Sequence, residues 1–318
     1  MYVGGVCVNG EHIASTDYGY VWCEIGVSNR LKFGQDNVIA VLADSRDANN
    51  ARWYTGAGLF RDVRLVATSK DLYFGRHPLY ITTRDNQYVT ISAEIAFRNK
   101  SDKLPIGVRI LAPDRNVVYE GRTTLQQNTT ASVVERKLPE IAIPKPQLWD
   151  TEQPHLYTAI LTLYREDGSV ADVVSSKFGI RTIEITTDEG LKLNGKKVLL
   201  KGYANHHALG ALGAAAYPRA IEKRIQLMKQ FGINHIRTAH NPYSREFIEL
   251  CDQYGILVTN ELYDKWTQQH TGGRVPFQQL WQHDVPEWIK RDRNSPSVVL
   301  WSLGNELQQN PDQPYNDF

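Results

Sequence analysis

The feature that most constrains the fold of this chain is a change of pattern near residue 182. Before it, short runs of alternating apolar and polar residues are separated by turn residues, which is typical of antiparallel β-sandwiches. After it, strand-like apolar runs alternate with segments whose apolar residues have helical spacing. That alternation is typical of parallel βα units. The sequence therefore predicts a multidomain fold, all-β at first and α/β afterwards.

The β-rich part divides into two predicted domains. Residues 1–70 open with a strand that runs into an Asn9-Gly10 hairpin turn, and we interpret them as the C-terminal part of a jelly-roll sandwich. Because the chain begins in mid-strand, we expect the first jelly-roll strands to be missing. Residues 71–181 contain alternating strand runs over about 110 residues, the size of an immunoglobulin-like β-sandwich.

Residues 182–318 are predicted to form the N-terminal half of a TIM barrel. Predicted strands lie at 198–202, 234–237, 256–259 and 297–301, and predicted helices at 218–231, 244–255 and 277–293. These four βα units occupy about 135 residues, whereas a complete (β/α)₈ barrel needs about 250. We therefore expect the second half of the barrel to be absent from the chain.

Composition excludes several classes of function. Lys and Arg total 36 against 35 Asp and Glu, and this balance argues against a nucleic-acid partner. No apolar run approaches the roughly 18 residues of a membrane span. Three scattered cysteines, Cys7, Cys23 and Cys251, form neither a disulfide framework nor a metal-binding CxxC pair. The 16 Tyr and 7 Trp suit recognition of partly polar ligands such as sugars, although β-sandwich cores use them too.

Polar side chains follow every predicted strand of the α/β part. Active sites of α/β barrels lie at the C-terminal ends of the strands, so these residues predict a site there. In strand order they are Asn205, His206 and His207, then Arg237, His240 and Asn241, then Asn260 and Glu261, and finally Asn305 and Glu306.

Glu306 is the strongest catalytic candidate. It follows a predicted buried strand, and we expect Trp301 and Leu303 to shield its carboxyl group from water. Such shielding raises the pKa of a carboxyl group and favours proton donation near neutral pH. Gly304 is expected to allow the turn, and Asn305 to hydrogen-bond a substrate hydroxyl. The alternative is an exposed glutamate that begins the next helix.

The histidines are less specific candidates. His206 and His207 are adjacent, so we expect one ring to face the site and the other to face away. His240 is placed to bind a hydroxyl, support a carboxylate or ligate a metal, and the first role is favoured. His235 lies inside a predicted strand and is expected to be packed.

Four segments of the sequence carry a common resemblance: 52–63, 201–207, 237–252 and 302–306. In this order and spacing they resemble glycoside hydrolase family 2, which contains β-galactosidases, β-glucuronidases and β-mannosidases. The resemblance covers essentially the whole chain and is greatest to the bacterial β-galactosidase-like branch. Ala208 departs from the branch, which usually has an acidic residue there, and Ala204 departs less clearly.

The resemblance implies a retaining exo-β-glycosidase, preferentially a β-galactosidase, with Glu306 as the acid/base. It also implies a sugar-binding role for the 1–70 jelly roll, a carbohydrate substrate and a homo-oligomer. A Mg²⁺ or Na⁺ ion is compatible with the complete enzyme, and the bacterial compartment, cytoplasm or periplasm, stays open. The implied substrate-binding residues are Asn305, His240, His206, His207, Arg237, Glu261 and Trp266. The implied nucleophile lies near the end of the seventh strand, so we expect the 318 residues alone to be inactive.

Other functions remain as alternatives. Within the family, they are β-glucuronidase and β-mannosidase activity. Outside catalysis, the sandwiches suit a carbohydrate-binding protein with an inert barrel remnant. A metal-dependent hydrolase that uses His206, His207, His240 and Glu261 is the weakest alternative, because a His-x-His strand motif is absent. Glu261 as a replacement nucleophile is disfavoured, because we expect it on the same side of the sugar as Glu306.

Overall fold

The computed structural model describes residues 3–44, 56–97, 103–126, 132–266, 275 and 277–307. In these ranges the chain forms an N-terminal antiparallel sheet, an immunoglobulin-like sandwich, a small linking sheet and the start of a TIM barrel. The predicted order of an all-β part followed by an α/β part is therefore confirmed. No helix in the described part of the chain combines the length and the apolar character needed to cross a membrane.

The N-terminal sheet has three antiparallel strands in the order β2-β1-β3. Its strands are β1 Val3–Val8, β2 Glu11–Thr16 and β3 Ile39–Asp44. Asn9 and Gly10 have φ angles of 52° and 87°, as the predicted hairpin turn requires. The alternating runs 20–22 and 62–66 also predict strands from their sequence, but this prediction is wrong, because neither segment pairs with a neighbouring strand. Most of the predicted signature 52–63 is described, but residues 52–55 lie outside the described ranges.

Two packed antiparallel sheets form the sandwich, with orders β4-β5-β8 and β11-β10-β6-β7, and β9 pairs with β5. Alternate residues of each central strand are buried, so the two inner faces share one apolar core. The strands are β4 Leu72–Arg84, β5 Tyr88–Phe97, β6 Lys103–Leu111, β7 Val117–Gln126, β8 Val133–Lys137, β9 Ile141–Ala142, β10 Tyr157–Tyr164 and β11 Val170–Phe178.

A small antiparallel sheet links the sandwich to the barrel strands. It consists of β12 Ile183–Thr186, β13 Gly190–Leu193 and β14 Lys196–Lys197. Leu193 of this sheet packs with the fully buried Trp149 and Leu257. Since Leu257 begins a parallel strand, the linking sheet lies at the N-terminal end of the barrel strands, opposite the predicted site.

The barrel part is a parallel sheet of four strands in chain order. Its elements are β15 Gly202–Asn205, a 3₁₀ turn Gly210–Leu212, α1 Pro218–Gln230, β16 His235–Thr238, α2 Arg245–Tyr254, β17 Leu257–Glu261, α3 Phe277–Asp292 and β18 Val298–Ser302. Three of the four predicted strands and all three predicted helices overlap these elements in full or within a few residues.

We propose the boundaries 1–70, 71–181 and 182–318 for the domains.

The first barrel strand differs from its prediction. Strand β15 begins at Gly202, where the predicted strand ended, because pairing with β16 starts with Gly202 opposite His235. A Cβ atom at Gly202 would lie 2.2 Å from the carbonyl oxygen of His235, so this close pairing requires glycine. Val198 and Leu200, in the predicted strand, instead pack against the cluster around Trp149.

Strand β18 is less buried than predicted. Val298 is buried, but Leu300 and Trp301 are exposed. The reason is the position of β18 at the edge of the described sheet, where only β17 pairs with it. Trp301 still contacts α3, since its ring meets Trp288 edge to face at 4.8 Å.

Candidate active site

The four parallel strands end at one edge of the sheet, and their last residues are Asn205, Thr238, Glu261 and Ser302. The loops that follow carry the other predicted site residues. Parallel pairing in register therefore gathers side chains that are about 100 residues apart in the chain, as expected for an α/β barrel.

Glu261 lies at the centre of this edge and is fully buried. One carboxylate oxygen, Oε2, accepts hydrogen bonds from Arg237 Nε at 2.9 Å, Arg237 Nη2 at 2.7 Å and Ser302 Oγ at 2.7 Å. The other oxygen lies 2.6 Å from His240 Nδ1. Buried charge is tolerated only when it is paired and hydrogen-bonded, and Glu261 meets both conditions.

These contacts determine what Glu261 can do. Both carboxylate oxygens are occupied by protein donors, so neither is available to attack a sugar carbon without breaking a buried ion pair. Such a break is expensive, because it leaves the fully buried Glu261 carboxylate without a counter-ion. The geometry therefore favours a positioning role for Glu261, which orients Arg237 and His240.

The two adjacent histidines face different surroundings. The His206 ring meets the His240 ring edge to face at 5.6 Å, and its Nδ1 lies 3.0 Å from the carbonyl oxygen of Ala239. The His207 ring instead stacks on Phe60 at 5.7 Å. The two adjacent rings thus have different neighbours, His240 for His206 and Phe60 for His207. The His207 ring, predicted to bind substrate, also contacts the rings of Tyr20 and Tyr243.

His235 is packed, as predicted. Its Nε2 lies 2.8 Å from Thr259 Oγ1 on the neighbouring strand. Burial lowers the pKa of His235 below the usual value, which favours the neutral imidazole.

Asn305 connects the ends of three strands. Its Oδ1 accepts a hydrogen bond from Arg237 Nη2 at 3.0 Å, and its Nδ2 donates one to Asp264 Oδ1 at 2.8 Å. The Asn305 backbone nitrogen also donates to the carbonyl oxygen of Asp264 at 2.9 Å. Asn305 is buried, so its amide orientation is fixed by these contacts.

Glu306 differs most from its prediction. Its side chain is 64% exposed, and its carboxylate pairs with Lys265 Nζ at 2.5 Å. The expected shielding by Trp301 and Leu303 is wrong, because both residues are themselves exposed. The carboxyl group of Glu306 therefore lies at the surface, in the loop after β18, and is held there by an ion pair with Lys265.

The turn before Glu306 also differs from the prediction. The left-handed φ of 46° belongs to Glu306, whereas Gly304 lies close to two side chains. A Cβ atom at Gly304 would lie 2.5 Å from the Leu307 side chain and 3.0 Å from Trp266 Nε1. This contact brings the chain segment that carries Glu306 against the loop after β17.

Trp266, a predicted substrate-binding residue, supports the same segment. Its Nε1 donates to the carbonyl oxygen of Leu303 at 2.8 Å, and its ring stacks on Phe277 at 4.9 Å. One face of the indole is therefore covered by protein.

Four residues of the site were missed in the sequence: Thr238, Asp264, Lys265 and Ser302. The rule that polar strand ends mark the site would have included Thr238 and Ser302, which are the last residues of β16 and β18. Asp264 and Lys265 follow Glu261 within four residues, and extending the rule along that loop would have found them.

The residues described at this edge do not fit a metal ion. No group of three or more His, Cys, Asp or Glu side chains with suitable geometry occurs in the described ranges. The metal-dependent alternative requires His240 and Glu261 as ligands. In the structure His240 Nδ1 is instead in hydrogen-bond contact with Glu261 Oε1.

Two family models match the chain. The TIM barrel domain of glycosyl hydrolases family 2 matches residues 183–314, and a second model, described as glycosyl hydrolases family 2, matches residues 77–181. The chain belongs to glycoside hydrolase family 2. The first match includes all four parallel strands of this family 2 chain, so every candidate site residue lies inside it.

Individual family 2 proteins are similar along nearly the whole chain. Beta-galactosidase BoGH2A from Bacteroides ovatus is 33% identical over 309 residues, which are 95% of this chain and 36% of that protein. A putative beta-glucuronidase from Formosa agariphila is 34% identical over 307 residues, 95% of this chain and 28% of that protein. The crystal structure of a family 2 member from Bacteroides cellulosilyticus DSM 14838 has a TM-score of 0.86 and 32% identity, covering 98% of this chain and 42% of that one. The chain thus spans well under half the length of these relatives.

Proposed function

We propose that this chain carries the acid/base part of the active site of a retaining exo-β-glycosidase that removes terminal β-D-galactose. The observation that supports this most is the network at the strand edge. It runs from His240 through Glu261 and Arg237 to Asn305, and places Glu306 directly after Asn305.

The proposed general acid is Glu306. In a double displacement, the acid protonates the glycosidic oxygen while a carboxylate nucleophile attacks the anomeric carbon, and the C–O bond breaks. Glu306 then accepts a proton from the water that hydrolyses the glycosyl-enzyme. Its exposure gives the leaving group and water access. Glu306 must carry a proton when it acts as the acid, so the ion pair with Lys265 has to open as substrate binds.

The nucleophile of this proposal is a second carboxylate that is not Glu261. The Glu261 carboxylate is in hydrogen-bond contact with Arg237, Ser302 and His240. We propose that it shapes the sugar pocket instead. The nucleophile then comes from outside the described residues.

Sugar hydroxyls are proposed to bind Asn305, His240, His206, Arg237 and Trp266, whereas Glu261 contributes by orienting Arg237 and His240. Asn305 is an example of a residue that has hydrogen-bond partners in the protein and can still bind a sugar hydroxyl. A primary amide has two donors and two lone pairs, and the printed side-chain contacts of Asn305 use one of each. One N–H and one lone pair are therefore left for a hydroxyl group, in a fixed orientation.

The charges of the site support a neutral sugar. Arg237 pairs with Glu261, and Lys265 pairs with Glu306 and lies 3.9 Å from Asp264. Both of these cations thus already face a carboxylate, and a uronate carboxylate would have to compete with it. This observation favours a galactoside over a glucuronide, although relatives with both names are similar to the chain.

The test is hydrolysis of chromogenic β-galactoside, β-glucuronide and β-mannoside. It is made with this chain and with a fusion that adds the remaining barrel strands of BoGH2A. We expect the fusion to hydrolyse the β-galactoside fastest, Glu306→Gln to abolish hydrolysis, and the 318 residues alone to be inactive.

A matched control is Glu249→Gln, which removes an exposed carboxylate paired with Arg245. Equal activity of the Glu306→Gln and parent fusions would contradict the acid/base role. Preference for the glucuronide or mannoside would contradict the sugar assignment. Binding of galactose without any hydrolysis in the fusion would favour the carbohydrate-binding alternative.

A further inference from the structure

Arg61 connects the N-terminal segment, here the described residues of 1–70, to a loop of the candidate site. Its guanidinium is 5.4 Å from the centre of the Phe60 ring and 5.7 Å from that of Tyr20. Desolvation lowers the pKa of Arg61 to about 10. The described residues place no carboxylate in ion-pair contact with it. Burying a guanidinium without a counter-ion costs free energy unless its N–H groups find hydrogen-bond acceptors.

Those hydrogen bonds go to two backbone carbonyl groups. Arg61 Nη1 donates to the carbonyl oxygen of Tyr20 at 2.9 Å, and Nη2 donates to that of Pro242 at 2.6 Å. The planar guanidinium presents its N–H groups in a fixed fork. The Arg61 side chain therefore fixes the position of Pro242 relative to the N-terminal segment.

Pro242 belongs to the loop that carries His240. At one end of this loop, the Ala239 nitrogen donates to the carbonyl oxygen of Asn205 at 2.9 Å. At the other end, the Tyr243 hydroxyl donates to the same carbonyl oxygen. Arg61 holds the loop between these two anchors, two residues after His240.

The other contacts of the N-terminal segment reach the neighbouring loops. Phe60 stacks on His207, after β15, and the Tyr18 hydroxyl donates to the carbonyl oxygen of Leu262, after β17. The Tyr18 ring also stacks on Tyr263 at 4.3 Å. Phe60, Arg61 and Tyr18 thus contact the loops after three successive barrel strands, and Arg61 contacts the middle one.

We propose that Arg61 is a positioning residue that fixes the orientation of His240 against Glu261. His240 Nδ1 lies 2.6 Å from Glu261 Oε1, and this short contact tolerates little movement of the loop. The consequence for catalysis rests on the proposed function, but the consequence for the His240 geometry does not.

The test compares Arg61→Met with Arg64→Met in the 318-residue chain. Arg64 is a matched control because it also joins the N-terminal part to the barrel, through an ion pair of 3.0 Å with Glu246 in α2. Its ion pairs among the described residues, with Glu246 and Asp62, involve no site loop. The readout is the ring N–H proton of His240 in ¹⁵N-histidine-labelled protein. With Glu261 beside Nδ1, this proton should exchange slowly and resonate downfield.

We expect Arg61→Met to shift this signal or to accelerate its exchange at least tenfold, and Arg64→Met to leave it unchanged. In the active fusion, Arg61→Met should lower kcat/KM by about 10- to 100-fold, as small displacements of catalytic groups do. If Arg61→Met does not fold, Arg61→Lys is measured instead, since one ammonium cannot reproduce the fork.

An unchanged His240 signal in the folded Arg61 variant would overturn the proposal, and so would an equal change in Arg64→Met. If the fusion hydrolyses no glycoside, the proposed function fails, but the His240 signal still decides the role of Arg61.

Discussion

Arg237 Nη2 lies 3.0 Å from Asn305 Oδ1, and this contact joins the end of β16 to the loop after β18 across the intervening strand. The same nitrogen donates to Glu261 on that strand at 2.7 Å. One guanidinium therefore sets the spacing of three strand ends. The segment that carries Glu306 is attached to the barrel through this guanidinium and through Asp264.

Replacing Arg237 should destabilise the chain strongly. Arg237→Met leaves the fully buried Glu261 without its main counter-ion, and breaking a buried pair in this way costs about 3 kcal/mol or more. Urea unfolding of the 318-residue chain measures the loss. Arg245→Met is the control, because its exposed pair with Glu249 should be worth about 0.5 kcal/mol. Equal losses in the two variants would show that the Arg237 pair contributes no more than a surface pair.

Glu306→Ala should affect substrates according to their leaving groups. In the fusion that contains all barrel strands, substrates with poor leaving groups should lose several orders of magnitude in kcat/KM, because they need protonation. Activated aryl glycosides should lose much less, and added azide should restore part of their turnover. Steady-state kinetics with a series of aryl β-galactosides gives the comparison. Equal losses for all leaving groups, without azide rescue, would exclude Glu306 as the acid/base.

The order of elements in the barrel part could be predicted because its signals are local. Helix α2 begins at Ser244, whose Oγ accepts from the Phe247 nitrogen at 3.3 Å, and ends at Gly255 with a φ of 69°. Both residues are recognisable in the sequence. The first strand was misplaced because Val198 and Leu200 pack on the linking sheet, and only pairing with β16 defines where β15 lies. Pairing between distant segments cannot be deduced from local periodicity.

The sequence predicted which residues lie at the candidate site, but not which of them contact each other. Polar residues after successive strands identified Arg237, Glu261 and Asn305, which the structure brings together. The exposure of Glu306 depends on a left-handed turn at that residue and on Lys265 from another loop. Neither is visible in the pattern around Glu306, since the first is a backbone conformation unusual for glutamate and the second is a long-range contact.

Asp252 should make stability depend on pH near neutrality. It is buried beside the sandwich, accepts hydrogen bonds from Ser295 Oγ and the Ser297 nitrogen, and its pKa is raised to about 7 by burial. The folded state thus binds the proton more tightly than the unfolded chain, whose carboxyl has a pKa near 4. The contribution to stability is complete below about pH 4 and is lost as pH rises through about 7.

Urea unfolding at several pH values between 4 and 8 measures this effect. The stability of the parent chain should fall with rising pH relative to that of Asp252→Asn, which cannot titrate at this position. Asp188→Asn, at an exposed turn position, should follow the parent. A constant difference between parent and Asp252→Asn across this range would contradict the raised pKa.

Two glycines with the same backbone conformation should respond differently to alanine. Gly255 and Gly232 have φ angles of 69° and 71°, but a Cβ atom at Gly255 would lie 2.5 Å from the carbonyl oxygen of Thr151, whereas nothing lies within 4 Å at Gly232. Gly232→Ala should cost about 1–2 kcal/mol, the strain of a left-handed alanine. Gly255→Ala bears the same strain and must also displace the sandwich backbone at Thr151, so its urea midpoint should be clearly lower. Equal midpoints would mean that the contact between α2 and the sandwich at Thr151 yields without cost.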